Sequence, residues 1–175
     1  MPELTMFSVT SALLLFGFIC WGVMRFGLLP SYSDYSRRWM EAVPMSNMNL
    51  WSLITAVAAF LLTPALLEFG ALSGWQFLGF LVPVYLICVA LTPEWKTNPT
   101  QHKFHFIFAG LCALGGVAWL LLVMHAYWVF GIVAVFFTTL ALLTGTVETS
   151  AVFWVEMIMF VSVYIVVLMM LFPLL

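Results

Sequence analysis

The chain has 175 residues, of which 65% are hydrophobic and only 7% are charged. Soluble domains contain about half apolar and about a quarter charged residues, so this composition excludes a soluble globular protein. Backbone groups in hydrocarbon must be hydrogen-bonded within their own segment, so long apolar runs are expected to be helices. The sequence therefore predicts an all-α, polytopic protein of the lipid bilayer, forming a single domain over residues 1–175 without a nucleic-acid partner.

Six apolar runs each approach the roughly 17–25 residues of a spanning helix. They cover residues 6–24, 50–67, 75–91, 104–124, 127–143 and 151–171. The third and fifth are the shortest, and Pro83 interrupts the third, so five spans with a re-entrant segment is the alternative to six. Residues 30–49 are the longest polar segment. Their amphipathic pattern is typical of a short cytosolic helix that lies on the membrane surface or caps the bundle.

All five basic residues lie in or beside two connections. Arg25, Arg37 and Arg38 belong to the first connection, and Lys96 and Lys103 to the third. Lys and Arg are enriched in cytoplasmic loops, and this bias sets the orientation of a membrane protein. We therefore expect the protein in the bacterial cytoplasmic (inner) membrane, with both connections on the cytosolic side and both chain termini outside the cytosol.

The fourth run begins with "NPTQHKFHF" at residues 98–106. Asn98 stands where a helix needs an N-cap, and Pro99 suits the first helical position. Gln101 stands where an amide can reach back to the cap. The stretch therefore predicts a helix that begins at Pro99.

Two histidines in this helix start are candidate metal ligands. His102 and His105 are three residues apart and are expected to share one face, which small residues at positions 109, 112 and 116 continue toward other helices. The positive end of the helix dipole favours neutral imidazole, the form that binds metals. A closed zinc site needs a third or fourth ligand, for which Glu156 is a candidate. Contact with lipid headgroups is the alternative for His102.

Glu156 is the most informative single residue, because it lies inside the apolar run "SAVFWVEMIMFVSVY". A carboxylate at membrane depth usually faces the bundle interior, finds a partner and marks function. Its predicted partners are His105 or an arginine of the first connection. A buried structural pair is the alternative to a functional role.

Several motifs carry a resemblance to known membrane proteins. "SYSDY" after the first run, "LTPALLEFG" at the end of the second, "QFLGFL" at the start of the third and the histidine-bearing start of the fourth resemble a family of short polytopic membrane proteins of gut bacteria and their phages. That resemblance implies six helices and brings no established activity.

A more distant similarity is to the membrane hydrolases that include alkaline ceramidases and progestin-type receptors, which place a Ser, an Asp and three His around zinc. Ser31, Ser33, Asp34, His102 and His105 are comparable in type, which implies zinc-dependent hydrolysis. The chain departs from that superfamily in lacking a late histidine pair four residues apart and in having six predicted helices where that fold has seven. Its serines and Asp are also crowded into one connection.

Three classes of function remain open. The first is an accessory or interaction protein that forms a homo-oligomer or joins a larger membrane complex. The second is a small ion or proton translocator that uses Glu156 and His105. The third is a metal-dependent hydrolase with a metal-activated water, for which His105, Glu156 and Asp34 are the catalytic candidates.

Overall fold

A computed structural model describes residues 2–42 and 49–172 of the chain, and these residues form helices and no strand. The helices are α1 (Pro2–Phe26), α2 (Asp34–Ala42), α3 (Leu50–Ser73), α4 (Gln76–Ala90), α5 (Pro99–Ala118), α6 (Tyr127–Leu143) and α7 (Val147–Leu171). A short π-helix, Trp119–Val123, continues α5. The predicted all-α class is confirmed.

Four helical segments are long and apolar enough to cross a membrane. They are α1, α3, α5 with its π-helical end, and α7, each with 24 or 25 residues. The α4 and α6 helices are also apolar but have only 15 and 17 residues. At about 1.5 Å per residue they extend roughly 22 and 25 Å, less than a hydrocarbon layer of about 30 Å. The four long helices are consistent with a membrane protein, and the two short helices do not by length alone establish six crossings.

A tight helical hairpin, formed by α3 and α4, is the most closely packed part of the bundle. Gly74 ends α3 with φ of 76°, a left-handed conformation that glycine adopts readily. Gly79 of α4 then lies directly against the backbone of α3, since an added Cβ would stand 2.6 Å from the carbonyl carbon of Leu66. Small residues allow helices in membranes to approach this closely.

A buried serine connects the central helices. The α1 helix packs against α3 and α7, and Ser11 of α1 donates a hydrogen bond to the carbonyl oxygen of Ala58 at 2.6 Å. The hydroxyl of Tyr164, on α7, also bonds Ser11. Because the Ser11 proton is directed to Ala58, the Tyr164 hydroxyl is the donor in this second bond. Such hydrogen bonds are a usual source of helix association in membranes.

The polar connection after α1 enters the bundle. All six residues at positions 31–36, "SYSDYS", are buried. The connection then emerges along α2, where Arg37 and Arg38 form surface ion pairs with Glu41 at 3.4 and 3.2 Å. The segment predicted over residues 30–49 therefore contains a helix, but its first part is buried inside the bundle and does not lie on the surface. Residues 43–48 of that prediction lie outside the described residues.

Hydrogen bonds from neighbouring elements make this burial tolerable. The carbonyl oxygen of Pro30 accepts from the backbone N–H of Phe153 in α7 at 2.9 Å, and the hydroxyl of Tyr35 donates to the carbonyl oxygen of Gly27 at 3.0 Å. Buried backbone groups without partners are strongly unfavourable. The segment thus replaces bonds to water with bonds to the protein.

The start of α5 confirms most of the cap prediction. The helix begins at Pro99, and the side chain of Asn98 accepts from the backbone N–H groups of Thr100 and Gln101 at 3.0 and 3.2 Å. The Gln101 amide differs from the prediction, because its oxygen accepts from the backbone N–H of Glu94 at 2.9 Å. It therefore fastens the preceding connection to α5.

Candidate functional site

The two predicted histidines occupy different environments. His105 is 4% exposed, whereas His102 is exposed. Residues three apart are separated by about 60° around a helix of 3.6 residues per turn. At the edge of the bundle this angle allows His105 to be buried while His102 is exposed. The ring of Trp95 contacts both, stacking on His105 with a centroid distance of 4.8 Å and an interplanar angle of 11°. The carbonyl oxygen of Trp95 also lies 3.1 Å from Nδ1 of His102.

Both ring nitrogens of His105 have hydroxyl partners. Its Nε2 lies 3.1 Å from Oγ of Ser33, and its Nδ1 lies 2.8 Å from Oγ1 of Thr92. The Thr92 hydroxyl donates its own proton to the carbonyl oxygen of Val89 at 2.7 Å. Thr92 therefore accepts from Nδ1–H of His105, and the unprotonated Nε2 accepts from the Ser33 hydroxyl.

Glu156 has a different partner from those predicted. Its Oε2 accepts from the backbone N–H of Tyr32 at 2.6 Å. The expected pairing with His105 or an arginine is wrong, because the buried connection supplies the partners of both groups. Tyr32 bonds Glu156 and Ser33 bonds His105. The arginines are exposed, with Arg25 near the end of α1 and Arg37 and Arg38 in α2.

Asp34, the third catalytic candidate, joins the two polar connections. It is 5% exposed, forms an ion pair with Lys96 and accepts from the hydroxyl of Ser31 at 3.1 Å. Because Asp34 follows Ser33 and Lys96 follows Trp95, this ion pair holds the segment bearing Ser33 against the segment that covers His105. Asp34 therefore positions the site.

Burial also acts on the tyrosines of the connection. The hydroxyl of Tyr32 lies 2.7 Å from Oγ1 of Thr55, and burial raises the pKa of Tyr32 well above its ordinary value. Burial likewise raises the pKa of Tyr35. Both phenols therefore remain neutral hydrogen-bonding groups in the folded protein.

A cavity of about 110 Å³ lies beside this network, between α4, α5 and α7. Most of its wall is hydrocarbon, and the small-residue face of α5 that was predicted to point into the bundle lines it, through Ala109, Cys112 and Gly116. Tyr32, Ser33, Glu156 and Tyr164 provide its polar groups. The cavity is only partly enclosed, and one of its lining residues, Val155, is 56% exposed on the outer surface of the bundle.

Among the described residues, no group of three or more His, Cys, Asp or Glu side chains is placed to hold a metal ion. His102, His105 and Glu156, the predicted zinc ligands, each have the separate partners given above. The zinc prediction stays a prediction that metal analysis of the purified protein can test.

The sequence did not identify Thr92, and it noted Ser33 only as a residue type. Thr92 lies in a connection of ordinary composition, and nothing in the sequence indicates that it meets a histidine thirteen positions later. The run of six polar and aromatic residues at 31–36 was the one available signal, because an amphipathic surface helix would have carried apolar residues at helical spacing.

Comparisons of the chain with protein-family models, curated proteins and solved structures find no match. The functional argument therefore depends on the geometry of this site.

Proposed function

We propose that this protein binds a small amphipathic lipid in the cavity between α4, α5 and α7. The observation that carries the proposal is the cavity itself, whose apolar wall has a few polar groups gathered where the buried connection meets α7. This combination is typical of small-molecule sites. The enclosed space is somewhat smaller than the roughly 150 Å³ cavity that holds benzene in an engineered protein, so the rest of an acyl chain would leave through the opening at Val155.

The polar groups indicate the chemistry of the headgroup. Glu156 offers a carboxyl group and Ser33 a hydroxyl, while none of the described lining residues is Lys or Arg. A site of this kind favours a neutral headgroup with hydroxyl donors over an anionic one. A monoacylglycerol, with two free hydroxyls and one acyl chain, fits this description. A fatty acid, whose carboxylate would meet no Lys or Arg among the described lining residues, fits it poorly.

The contacts between connections support a six-span topology. The ion pair of Asp34 with Lys96 joins the connection before α3 to the connection after α4, which is the arrangement expected if α3 and α4 cross the membrane and return. The bond from Phe153 to Pro30 likewise supports a return of the chain through α6. We propose that α4 and α6 cross a locally thinned bilayer. The membrane would be the bacterial cytoplasmic membrane, with both chain termini outside the cytosol. Five spans with a re-entrant segment is the alternative.

The other functional predictions stay predictions. A translocator that passes protons between Glu156 and His105 would need a path between them, and the groups that they bond are a backbone N–H and two hydroxyls. A homo-oligomer or larger complex is compatible with lipid binding, and native mass spectrometry tests it. Lipid binding is preferred because the cavity supports it directly.

Photo-crosslinking in lipid vesicles tests the proposal. A monoacylglycerol with a diazirine in its acyl chain should crosslink to lining residues of α5 and α7, and a diazirine fatty acid should crosslink there much less. Ala113→Phe fills the cavity and should abolish these crosslinks. The matched control is Leu114→Phe, at the next residue of α5, where the side chain is 70% exposed to lipid. Equal crosslinking of both variants would refute the proposal.

A further inference from the structure

We infer that Ser33 is a nucleophile, with His105 as its general base, for hydrolysis of an acyl ester held in this cavity. The inference rests on the proposed lipid site and adds an activity to it. It differs from the metal-dependent hydrolysis considered from the sequence, since the groups that carry it are a hydroxyl and an imidazole of this chain.

The hydrogen bonds around His105 provide the geometry of an activated serine. A nucleophilic serine needs a base within hydrogen-bonding reach, and the base needs a third group that orients it. Ser33 Oγ lies 3.1 Å from Nε2 of His105, and Thr92 Oγ1 lies 2.8 Å from Nδ1. Because the Thr92 proton is directed to Val89, the tautomer of His105 presents its lone pair to Ser33. Thr92 is therefore a positioning residue.

Two further contacts keep this chain of groups in place. The stacked ring of Trp95 fixes the plane of the imidazole. The ion pair between Asp34 and Lys96 links the residue after Ser33 to the residue after Trp95. Preorganisation of this kind is what a catalytic group requires, because small displacements reduce rates strongly.

The location of Ser33 separates it from an ordinary structural serine. It is 3% exposed and is one of the residues that line the cavity, so the inferred reaction requires the ester carbonyl to bind against Ser33 at this wall. Ser11 is a useful contrast, since it is equally buried but bonds Ala58 and Tyr164. Among the described serines, Ser33 alone both bonds an imidazole and lines the cavity.

The reaction balances with water as the co-reactant. Ser33 Oγ forms a bond to the ester carbonyl carbon while its proton moves to Nε2 of His105. The carbon–oxygen bond to the glycerol group then breaks, and the leaving oxygen takes that proton, which leaves an acyl-serine. Water next attacks the acyl carbon and gives a proton to His105, which returns it to Ser33 as the carboxylic acid departs. The substrate class is therefore a monoacylglycerol or a similar ester with a hydroxyl-bearing alcohol.

An alkyl fluorophosphonate, which forms a covalent bond with activated serines, tests the inference on the protein in lipid nanodiscs. Mass spectrometry should locate the adduct on Ser33 and leave Ser11 unmodified. His105→Gln removes the base and should slow labelling by at least about 100-fold. Ser8→Ala is the matched control, because Ser8 is a buried serine of α1 whose hydroxyl bonds none of the described residues, and this variant should label at the wild-type rate.

Two variants of Thr92 separate positioning from folding. Thr92→Val keeps the shape but removes the acceptor, so ¹⁵N spectra of His105 should show a mixture of tautomers and labelling should slow. Thr92→Ser keeps the acceptor, so it should retain the single tautomer of His105 and the wild-type labelling rate. If His105→Gln fails to fold, Ser33→Cys provides a second test, because its alkylation by iodoacetamide should slow when Thr92→Val is added.

The outcomes distinguish this inference from the lipid-binding proposal. Absence of an adduct on Ser33, or an equal labelling rate in a folded His105→Gln variant, would overturn the catalytic inference. If the monoacylglycerol still crosslinks in that case, lipid binding stands without hydrolysis. Loss of crosslinking in the wild type would overturn both.

Discussion

Replacement of Gly79 by alanine should separate the two most closely packed helices of the bundle. The added Cβ would stand 2.6 Å from the carbonyl carbon of Leu66 and 3.0 Å from the backbone nitrogen of Leu67, where ordinary contact begins at 3.4 Å. The obstacle is backbone, so no side chain can rotate away. The α3 and α4 helices would have to move apart by roughly 1 Å, and interiors packed as densely as crystals do not absorb such a shift freely.

The expected loss of stability follows from this displacement. A radial gap of about 0.5–1 Å forfeits a quarter to a half of the dispersion energy of each contact, and overpacked sites typically lose about 1–3 kcal/mol. We expect Gly79→Ala to lower the free energy of unfolding by about 2 kcal/mol. For a chain of this size that corresponds to a fall in Tm of roughly 4–8 °C.

The assay is thermal unfolding in bicelles, followed by tryptophan fluorescence. Gly110→Ala is the matched control, because an added Cβ at this exposed helical position would meet nothing within 4 Å. Alanine also has the higher helix propensity, so the control should melt at or slightly above the wild-type temperature. A Gly79→Ala protein that melts with the control would refute the close approach of α3 and α4.

Three further predictions concern the polar connections. A double-mutant cycle with Asp34→Asn and Lys96→Met, followed by unfolding measurements, should give a coupling energy of about 1–3 kcal/mol, because the Asp34 side chain is buried and the Lys96 side chain is 34% exposed. A coupling energy below about 0.5 kcal/mol would show that the pair does not hold the connections together. Asn98→Ala should lower the free energy of unfolding by about 1 kcal/mol through loss of the cap of α5, and unchanged stability would contradict its two hydrogen bonds. Burial raises the pKa of Tyr32 and Tyr35 above 10.0. As the pH rises past 10, the unfolded chain therefore loses phenol protons that the folded chain keeps, and the free energy of unfolding should fall. Denaturation titrations at several pH values should show a smaller fall for Tyr32→Phe than for the wild type.

The helices could be predicted from the sequence because a bilayer imposes a simple rule on composition. Apolar runs predicted the four long apolar helices and the two shorter ones, and the predicted limits 127–143 coincide with α6. The cap at Asn98 was also predictable, because a cap depends on residues next to each other in the chain. The number of crossings was not, since α4 and α6 are shorter than a standard span.

The site was less predictable because its partners come from distant parts of the chain. The sequence identified His105 and Glu156 as inward-facing ionisable residues, and both bond the buried connection. It paired Glu156 with His105 or with an arginine of the first connection, because charge was the only guide to a partner. The true partner of Glu156 is a backbone N–H, which every residue carries and which no residue type reveals. Ser33 and Thr92 bond His105 because the connection after α1 and the connection after α4 fold against each other.

Native mass spectrometry tests the central claim, the lipid site in the cavity, most directly. Protein in detergent should bind one monoacylglycerol per chain in a saturable way. Leu114→Phe should retain that lipid, and Ala113→Phe should lose it. Equal binding by the two variants, or binding that rises without saturation, would contradict a site between α4, α5 and α7.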